Sequence, residues 1–370
     1  MTPSSMCQKI LSYLQRPHLV TRRPDQNPAY LVLNLTRRCN MRCPHCLLRQ
    51  YDQDFFSEED MEPTHAKEIL SYFYQRGVRK LLLVAEGEIT MYPHLMEVAE
   101  FSESVGFEEI GTFTNGILLS RHIDCLATFF DFVYVGVDGY DNETYALRRG
   151  VDGIFETVTA NISSLVEAKR RSGRRQCIAL VCVVSQQNYT SMENMIRLAE
   201  RLQVDRIEFF NFHVVRPTYE GCQPLRQDDT TVVEYLHHLM YSRPYAVEII
   251  LPALIGNKTE YYCPNLFGFV MVGTDGSFSP CNYFPTHQKY GNFFLDPDAF
   301  RRKEILQFKE TFSHALCTDD LDFVCRECVA LSPENFIYLP SENRWRKRFV
   351  TGPFEYSYAD VDRRTLFDDR

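Results

Sequence analysis

Cys39, Cys43 and Cys46 lie in the run Arg38-Cys-Asn-Met-Arg-Cys-Pro-His-Cys46, directly after the apolar stretch Tyr30-Leu-Val-Leu-Asn-Leu35. Three thiols at C-x3-C-x2-C spacing can hold three corners of a cubane 4Fe–4S cluster and leave its fourth iron without a protein ligand. An open iron binds a substrate or cofactor directly, so the spacing points to chemistry rather than scaffolding. Zinc is the alternative, but a structural zinc takes four ligands, and His45, inside the loop, would crowd the three thiolates. Apolar packing gives no reason for this spacing beside Arg37, Arg38 and Arg42.

A second group lies toward the C-terminus. Cys263 is followed by twelve residues and Gly276, then by four residues and Cys281, and later by Cys325-Arg-Glu-Cys328. The stretch Phe267–Cys281 reads as a hairpin around the turn Thr274-Asp275-Gly276, and an Asp-Gly pair favours such turns. The hairpin brings Cys263 and Cys281 to one end, where the C-x2-C pair can complete a four-thiolate cage. Iron–sulfur and zinc use the same four thiolates, so the spacing leaves both open. Of the other six cysteines, Cys177 and Cys182 fall on a predicted buried strand and read as small core residues; Cys7, Cys125, Cys222 and Cys317 are assigned no ligand role.

These residues need a frame. Apolar runs predict strands at 30–35, 79–84, 109–113, 132–137, 177–184 and 206–211. Helical patterns fall between them near 63–76, 94–105, 117–129, 154–171 and 190–203. Regular strand–helix alternation predicts βαβ units and a parallel sheet, and six units fall short of a closed eight-stranded barrel. In parallel α/β barrels the active site lies at the C-terminal ends of the strands, so the loops after each strand are where polar residues matter.

The cysteine loop after a first strand resembles the radical S-adenosylmethionine (radical SAM) superfamily. That resemblance implies a partial (β/α)6 barrel, SAM chelated by the open iron, and cleavage of SAM to a 5′-deoxyadenosyl radical. Glu86-Gly87-Glu88-Ile89 stands where the family has Gly-Gly-Glu-Pro: Gly87 keeps the backbone close to the ligand and Glu88 accepts a hydrogen bond from the SAM ammonium. Thr114-Asn115-Gly116 matches an element near the adenosyl group. Val135-Gly-Val-Asp138-Gly139 is similar to Ser-x-Asp-Gly, with Gly136 where Ser is usual; Asp138 orients the ribose or a neighbouring Arg, and Arg148 or Arg149 pairs with the SAM carboxylate. Ser185 and Asn188 are further candidates for SAM contacts. The cysteines from Cys263 to Cys328 resemble a Twitch domain, the shortened SPASM form, which implies one fully ligated auxiliary 4Fe–4S cluster beside the SAM-binding one.

The expected organisation is an N-terminal extension (1–28) with a short amphipathic helix around Ile10, Leu11 and Leu14, a radical SAM partial barrel (29–240), a small Twitch domain of hairpin plus helix (241–330), and a tail (331–370) that packs over the barrel or acts as a lid. Substrate-facing candidates are Glu208, Asn211, His213 and Tyr283, although a hydrogen-bonded strand-end pair is the plainer reading of Asn211 and His213. A protein-ligated auxiliary cluster accepts electrons, which favours a net oxidation of a small polar biosynthetic metabolite. The alternative is a maturase that crosslinks or oxidises a ribosomally made peptide; a zinc-stabilised binding protein without SAM chemistry is a third reading. An electron donor such as flavodoxin or ferredoxin is expected. The net charge of −9 argues against a nucleic-acid partner. The thirteen cysteines are odd in number and cluster-like in spacing, which argues against a secreted disulfide framework. No long apolar stretch occurs in residues 1–28 and no apolar run reaches membrane-spanning length, so a cytoplasmic protein without a membrane span is expected.

Overall fold

The structure, a computed structural model, describes residues 28–256, 268–286, 288–302, 305–306, 323–328, 334–352 and 355–360. Cys7, Cys263, Cys317 and the amphipathic helix expected near Ile10–Leu14 lie outside the described residues.

In chain order the elements are β1 (Tyr30–Asn34), α1 (Leu47–Tyr51), α2 (Pro63–Gln75), β2 (Lys80–Val84), α3 (Leu95–Val105), β3 (Glu109–Thr114), α4 (Ile123–Phe129), β4 (Phe132–Gly136), α5 (Asn142–Arg149), α6 (Phe155–Ser172), β5 (Cys177–Val184), α7 (Met192–Leu202), β6 (Arg206–Asn211), α8 (Thr230–Tyr241), β7 (Glu248–Ile250), β8 (Phe269–Val272), β9 (Phe278–Ser279), α9 (Phe323–Arg326), β10 (Glu334–Leu339), β11 (Arg344–Gly352) and β12 (Glu355–Asp360). The helix ends follow local chemistry. Proline opens α2, where its missing N–H is no loss. Asp141 and Thr144 form a capping box at the start of α5. Lys169, Arg170 and Arg171 sit in the last turn of α6, facing the negative end of its dipole.

The strands form one sheet in the order β12-β11-β10-β7-β6-β5-β4-β3-β2-β1-β8-β9. β1 to β6 are parallel to their neighbours, as the alternation predicts. Two extensions flank them. β8 pairs parallel with β1, so that Leu33 lies between Leu83 and Val272. β7 pairs parallel with β6, and β10 joins β7 antiparallel. The expected boundary at residue 240 is thus crossed by continuous sheet on both sides. Side-chain alternation divides the core: Leu31 and Leu33 of β1 pack with the helices in the large cluster, while Tyr30 and Val32 pack on the opposite face with Leu82, Phe269 and Met271. The tail is structural where it is described. Trp345 is buried against Tyr338 and Tyr245, with ring centroids 5.3 and 6.3 Å away. No helix among the described residues is long and apolar enough to cross a membrane.

Candidate active site

The cysteine loop leaves the C-terminal end of β1 and runs directly into α1, for which Cys46 is the N-cap. Its backbone is held by the loop after β2: Gly87 N donates to Thr36 O at 3.2 Å and Glu88 N to Arg38 O at 2.7 Å. A Cβ at Gly87 would stand 2.0 Å from the Arg38 carbonyl oxygen, so only glycine permits this approach. Asn115 reaches the loop from β3, its Nδ2 donating to Asn40 Oδ1 at 2.7 Å.

Glu88 is the hub between the second and third strands. Its Oε1 accepts from Thr90 N at 3.0 Å, Thr90 Oγ1 at 2.6 Å and Thr114 Oγ1 at 2.5 Å, and its Oε2 from Asn115 N at 2.6 Å. These bonds fix a buried carboxylate beside the cysteine loop.

The fourth strand contributes a charged pair. Arg149 Nε lies 2.6 Å from Asp138 Oδ2, His45 Nε2 lies 3.1 Å from the same oxygen, and Val183 N donates to Asp138 Oδ1 at 2.6 Å. Burial alone would raise the Asp138 pKa, but Arg149, His45 and the Val183 amide hold it at about 2. Arg149 Nη1 approaches Cys43 Sγ at 3.9 Å. Gly136, where the family has Ser, makes this possible: a Cβ there would stand 2.4 Å from Arg149 Nη2. Of the two arginines left open by the sequence, Arg149 enters the site, whereas Arg148 donates outward to Gln187 O at 2.6 Å.

Glu86 points elsewhere. Its carboxylate accepts from Arg37 Nε at 3.0 Å, from Thr274 Oγ1 at 3.3 Å and from the Thr286 hydroxyl. Thr274 lies in the β8–β9 turn and Thr286 lies five residues after Cys281, so Glu86 ties the hairpin to the loop that carries Gly87 and Glu88. An acid in place of a motif glycine was the sequence signal for this contact. Ser185 and Asn188 close a turn on themselves: Asn188 Oδ1 accepts from Ser185 N at 2.7 Å and Ser185 Oγ at 3.1 Å.

The substrate-facing candidates separate. Asn211 donates to Leu225 O at 2.8 Å and Ala253 O at 2.9 Å and accepts from Leu225 N at 2.8 Å, so it pins two loops. Glu208 pairs with Arg348 of β11 at 3.3 Å, both buried. His213 and Tyr283 do meet, with ring centroids 4.2 Å apart. α1 organises them: Gln50 Nε2 donates to His213 O at 3.0 Å, and Tyr51 Oη donates to Tyr283 O at 2.7 Å. Gln50 and Tyr51 carried no motif and escaped the sequence analysis.

Among the described residues no three His, Cys, Asp or Glu side chains stand in a set spaced for a metal ion. The donor chemistry of the first loop nevertheless fits a cluster with an open iron. Cys39, Cys43 and Cys46 are half-buried thiols with a guanidinium beside one of them. Burial raises the Cys39 thiol to about 11 and also raises Cys43, where Arg149 works in the opposite sense; metal binding must therefore displace protons. Cys325 and Cys328 flank the end of α9, and Cys281 follows β9; Cys263, expected from the sequence as the fourth ligand of that group, lies outside the described residues.

Residues 33–199 match the model of the Radical SAM superfamily. That segment of the chain is similar to radical SAM domains. Relatives that the chain is similar to are named as synthases and cyclases. The chain is 28% identical to the Fe-coproporphyrin III synthase of Methanosarcina barkeri over 196 residues, covering 52% of this chain and 46% of that protein. It therefore spans about half the length of that relative. It is 25% identical to the AdoMet-dependent heme synthase of the same organism over 330 residues, covering 81% of this chain and 88% of that protein. In fold it is similar to Streptococcus suis SuiB bound to its precursor peptide SuiA, with a TM-score of 0.60, 14% identity, and coverage of 76% of this chain and 66% of that one.

Proposed function

We propose that this chain is a radical SAM oxidoreductase acting on a small polar biosynthetic metabolite. The observation that carries the reading is the meeting, at the C-terminal ends of the parallel strands, of the three-thiol loop, the Glu88 hub and the buried Asp138–Arg149 pair. In this reading β1 to β6 form the partial (β/α)6 barrel, and Cys39, Cys43 and Cys46 hold the SAM-binding cluster. When bound, that cluster and SAM supply a 5′-deoxyadenosyl radical that takes hydrogen from a substrate C–H. Cys263, Cys281, Cys325 and Cys328 would hold a second 4Fe–4S cluster as an electron acceptor, which favours a net oxidation such as dehydrogenation.

The chain's own residues bind and orient. Arg149, held charged by Asp138 although burial opposes it, offers a guanidinium fork to the SAM carboxylate. Glu88 offers a carboxylate to the SAM ammonium. His213, just after β6, and Tyr283, just after β9, present a pair of tilted rings, with Glu208 farther down β6. Asn211 keeps the shape of the loops around them. An external reductant such as flavodoxin or ferredoxin delivers the electron, and the setting is cytoplasmic.

A second reading has its own observation. The chain is 22% identical to the antilisterial bacteriocin subtilosin biosynthesis protein AlbA of Bacillus subtilis over 282 residues, covering 73% of this chain and 58% of that protein. The same site would then oxidise or crosslink a peptide.

The test is anaerobic reconstitution followed by incubation with SAM, a reductant and candidate metabolites or peptides. Two clusters predict about eight iron per chain, and 5′-deoxyadenosine should form. Replacing Cys39, Cys43 and Cys46 with Ala should abolish SAM cleavage, whereas replacing Cys325 and Cys328 should spare some cleavage and block product. Zinc without iron, or full turnover in either variant, refutes the assignment.

A further inference from the structure

The short helix α1 joins the first cysteine loop to both rings of the substrate-facing pair. Its N-cap is Cys46, and Gln50 N donates back to Cys46 O at 3.2 Å. At the helical rise per residue, Gln50 stands about 6 Å along the axis from that cysteine. Gln50 is buried, and both ends of its side-chain amide are used on one segment after β6. Its Nε2 donates to His213 O at 3.0 Å, and its Oε1 accepts from Val215 N at 3.1 Å. A neighbouring parallel strand would engage the same carbonyl and the same amide two residues on. Here one side chain takes that place, and it must carry a donor and an acceptor together, as an amide does and a carboxylate does not.

Tyr51, the next residue, reaches the other ring. Its Oη donates to Tyr283 O at 2.7 Å, and its own carbonyl accepts from Arg216 Nη2. His213 follows β6 and Tyr283 follows β9, and those strands lie at opposite ends of the run β6-β5-β4-β3-β2-β1-β8-β9. Strand register therefore does not set how the two rings meet. The bonds of α1 tie both to one helix, and the ring centroids stand 4.2 Å apart.

We propose that Gln50 and Tyr51 are positioning residues for the substrate: they hold His213 and Tyr283 at a fixed offset from the first cysteine loop, so that the substrate C–H is presented to the reacting centre. The inference deepens the radical SAM reading and rests on it. Its consequence is coupling. A misplacement of about 1 Å can cost about a hundredfold in rate, so a loosened offset leaves SAM cleavage running without product.

The experiment compares the wild type with Gln50→Met and Tyr51→Phe, all as full chains. Methionine keeps the length and helix preference of glutamine without its amide, and phenylalanine removes only the hydroxyl. In the iron-free chains, the His213 ring signal is read by NMR with labelled histidine and identified by its absence in His213→Gln. It should shift in both variants while the other histidines keep their signals. Exchange of the Val215 amide should speed up about tenfold or more in Gln50→Met, where its acceptor is gone. After anaerobic reconstitution, iron per chain should match the wild type. On each metabolite or peptide of the panel that the wild type converts, 5′-deoxyadenosine formed per product should rise about tenfold or more in both variants. A residue that only supports the fold would lower both yields together and leave that ratio unchanged. An unmoved His213 signal overturns the proposal, as does an unchanged ratio. So does a shift of every histidine, which would make α1 a support of the whole fold. Failure of the wild type itself to take up iron sinks the parent reading and is recognised before any variant is compared, whereas the His213 signal is read without iron.

Discussion

Removing the Glu86 carboxylate should loosen the β8–β9 hairpin while leaving the central strands intact. Glu86 is buried, as are Thr274 and Thr286 whose hydroxyls it accepts. In Glu86→Ala both hydroxyls lose their acceptor at about 1–3 kcal/mol each. Arg37 suffers less, because Nη1 keeps Glu59 at 2.6 Å and Asp275 remains 3.9 Å from Nη2. The expected loss is thus about 2–6 kcal/mol, felt first where the hairpin docks. Amide hydrogen exchange reads it directly. Gly273 N bonds Ser277 O at 2.8 Å, Phe278 N bonds Gly291 O at 3.0 Å, and Phe293 N bonds Gly276 O at 2.8 Å. A local loss of about 2 kcal/mol should speed exchange at these amides roughly thirtyfold, whereas amides of β4 and β5 should change much less. The iron-free protein suffices, so no assumption about clusters enters. Unchanged hairpin protection in Glu86→Ala would refute the argument. So would equal acceleration in β4 and the hairpin, since Glu86 would then support the whole fold rather than one docking contact.

Two further perturbations act elsewhere. Gly87→Ala places a Cβ 2.0 Å from a backbone oxygen that no rotamer can move; it should cost about 1–3 kcal/mol in denaturant unfolding and lower iron retention at the first loop, and wild-type values for both would contradict the close approach. Glu200 accepts from Arg243 Nη1 and Nη2 at 2.9 and 2.8 Å and from Ala246 N at 2.9 Å. Burial would raise its pKa, but the Arg243 and Ala246 bonds outweigh it and lower the value below 4.5. A depressed acid stabilises the fold above its unfolded pKa, and that contribution fades as pH falls through the folded value. Glu200→Gln should therefore melt below the wild type at pH 7 and converge with it at acid pH; a gap that stays constant with pH would refute the ion pair's contribution.

What could be read from the sequence follows the physics of each element. The strands at 30–34, 80–84, 132–136, 177–184 and 206–211 are apolar runs because helices cover one face and buried side chains fill the other, so they stand out as expected for parallel strands. β11 does not. Its Arg344-Trp-Arg-Lys-Arg-Phe349 start carries four cations among two aromatics, and one of those cations, Arg348, is spent on buried Glu208. β7 has three residues, too few for a periodic signal. At the site, cysteine spacing is a chemical constraint written in the chain, whereas Glu86 looked like a poor match to a motif until its partners 188 and 200 residues away were seen. The same holds for Gly136, which stands where Ser is usual and whose missing Cβ admits Arg149. Departures from a family pattern therefore carry information of a different kind from matches. A match locates the shared chemistry, and a departure marks where this chain has rebuilt the support around it, here with a carboxylate that binds the hairpin and a guanidinium brought onto a cysteine. If that reasoning holds, substrate choice is to be sought where Tyr283, on the segment that Glu86 anchors, meets His213, and not in the loops that follow the family pattern.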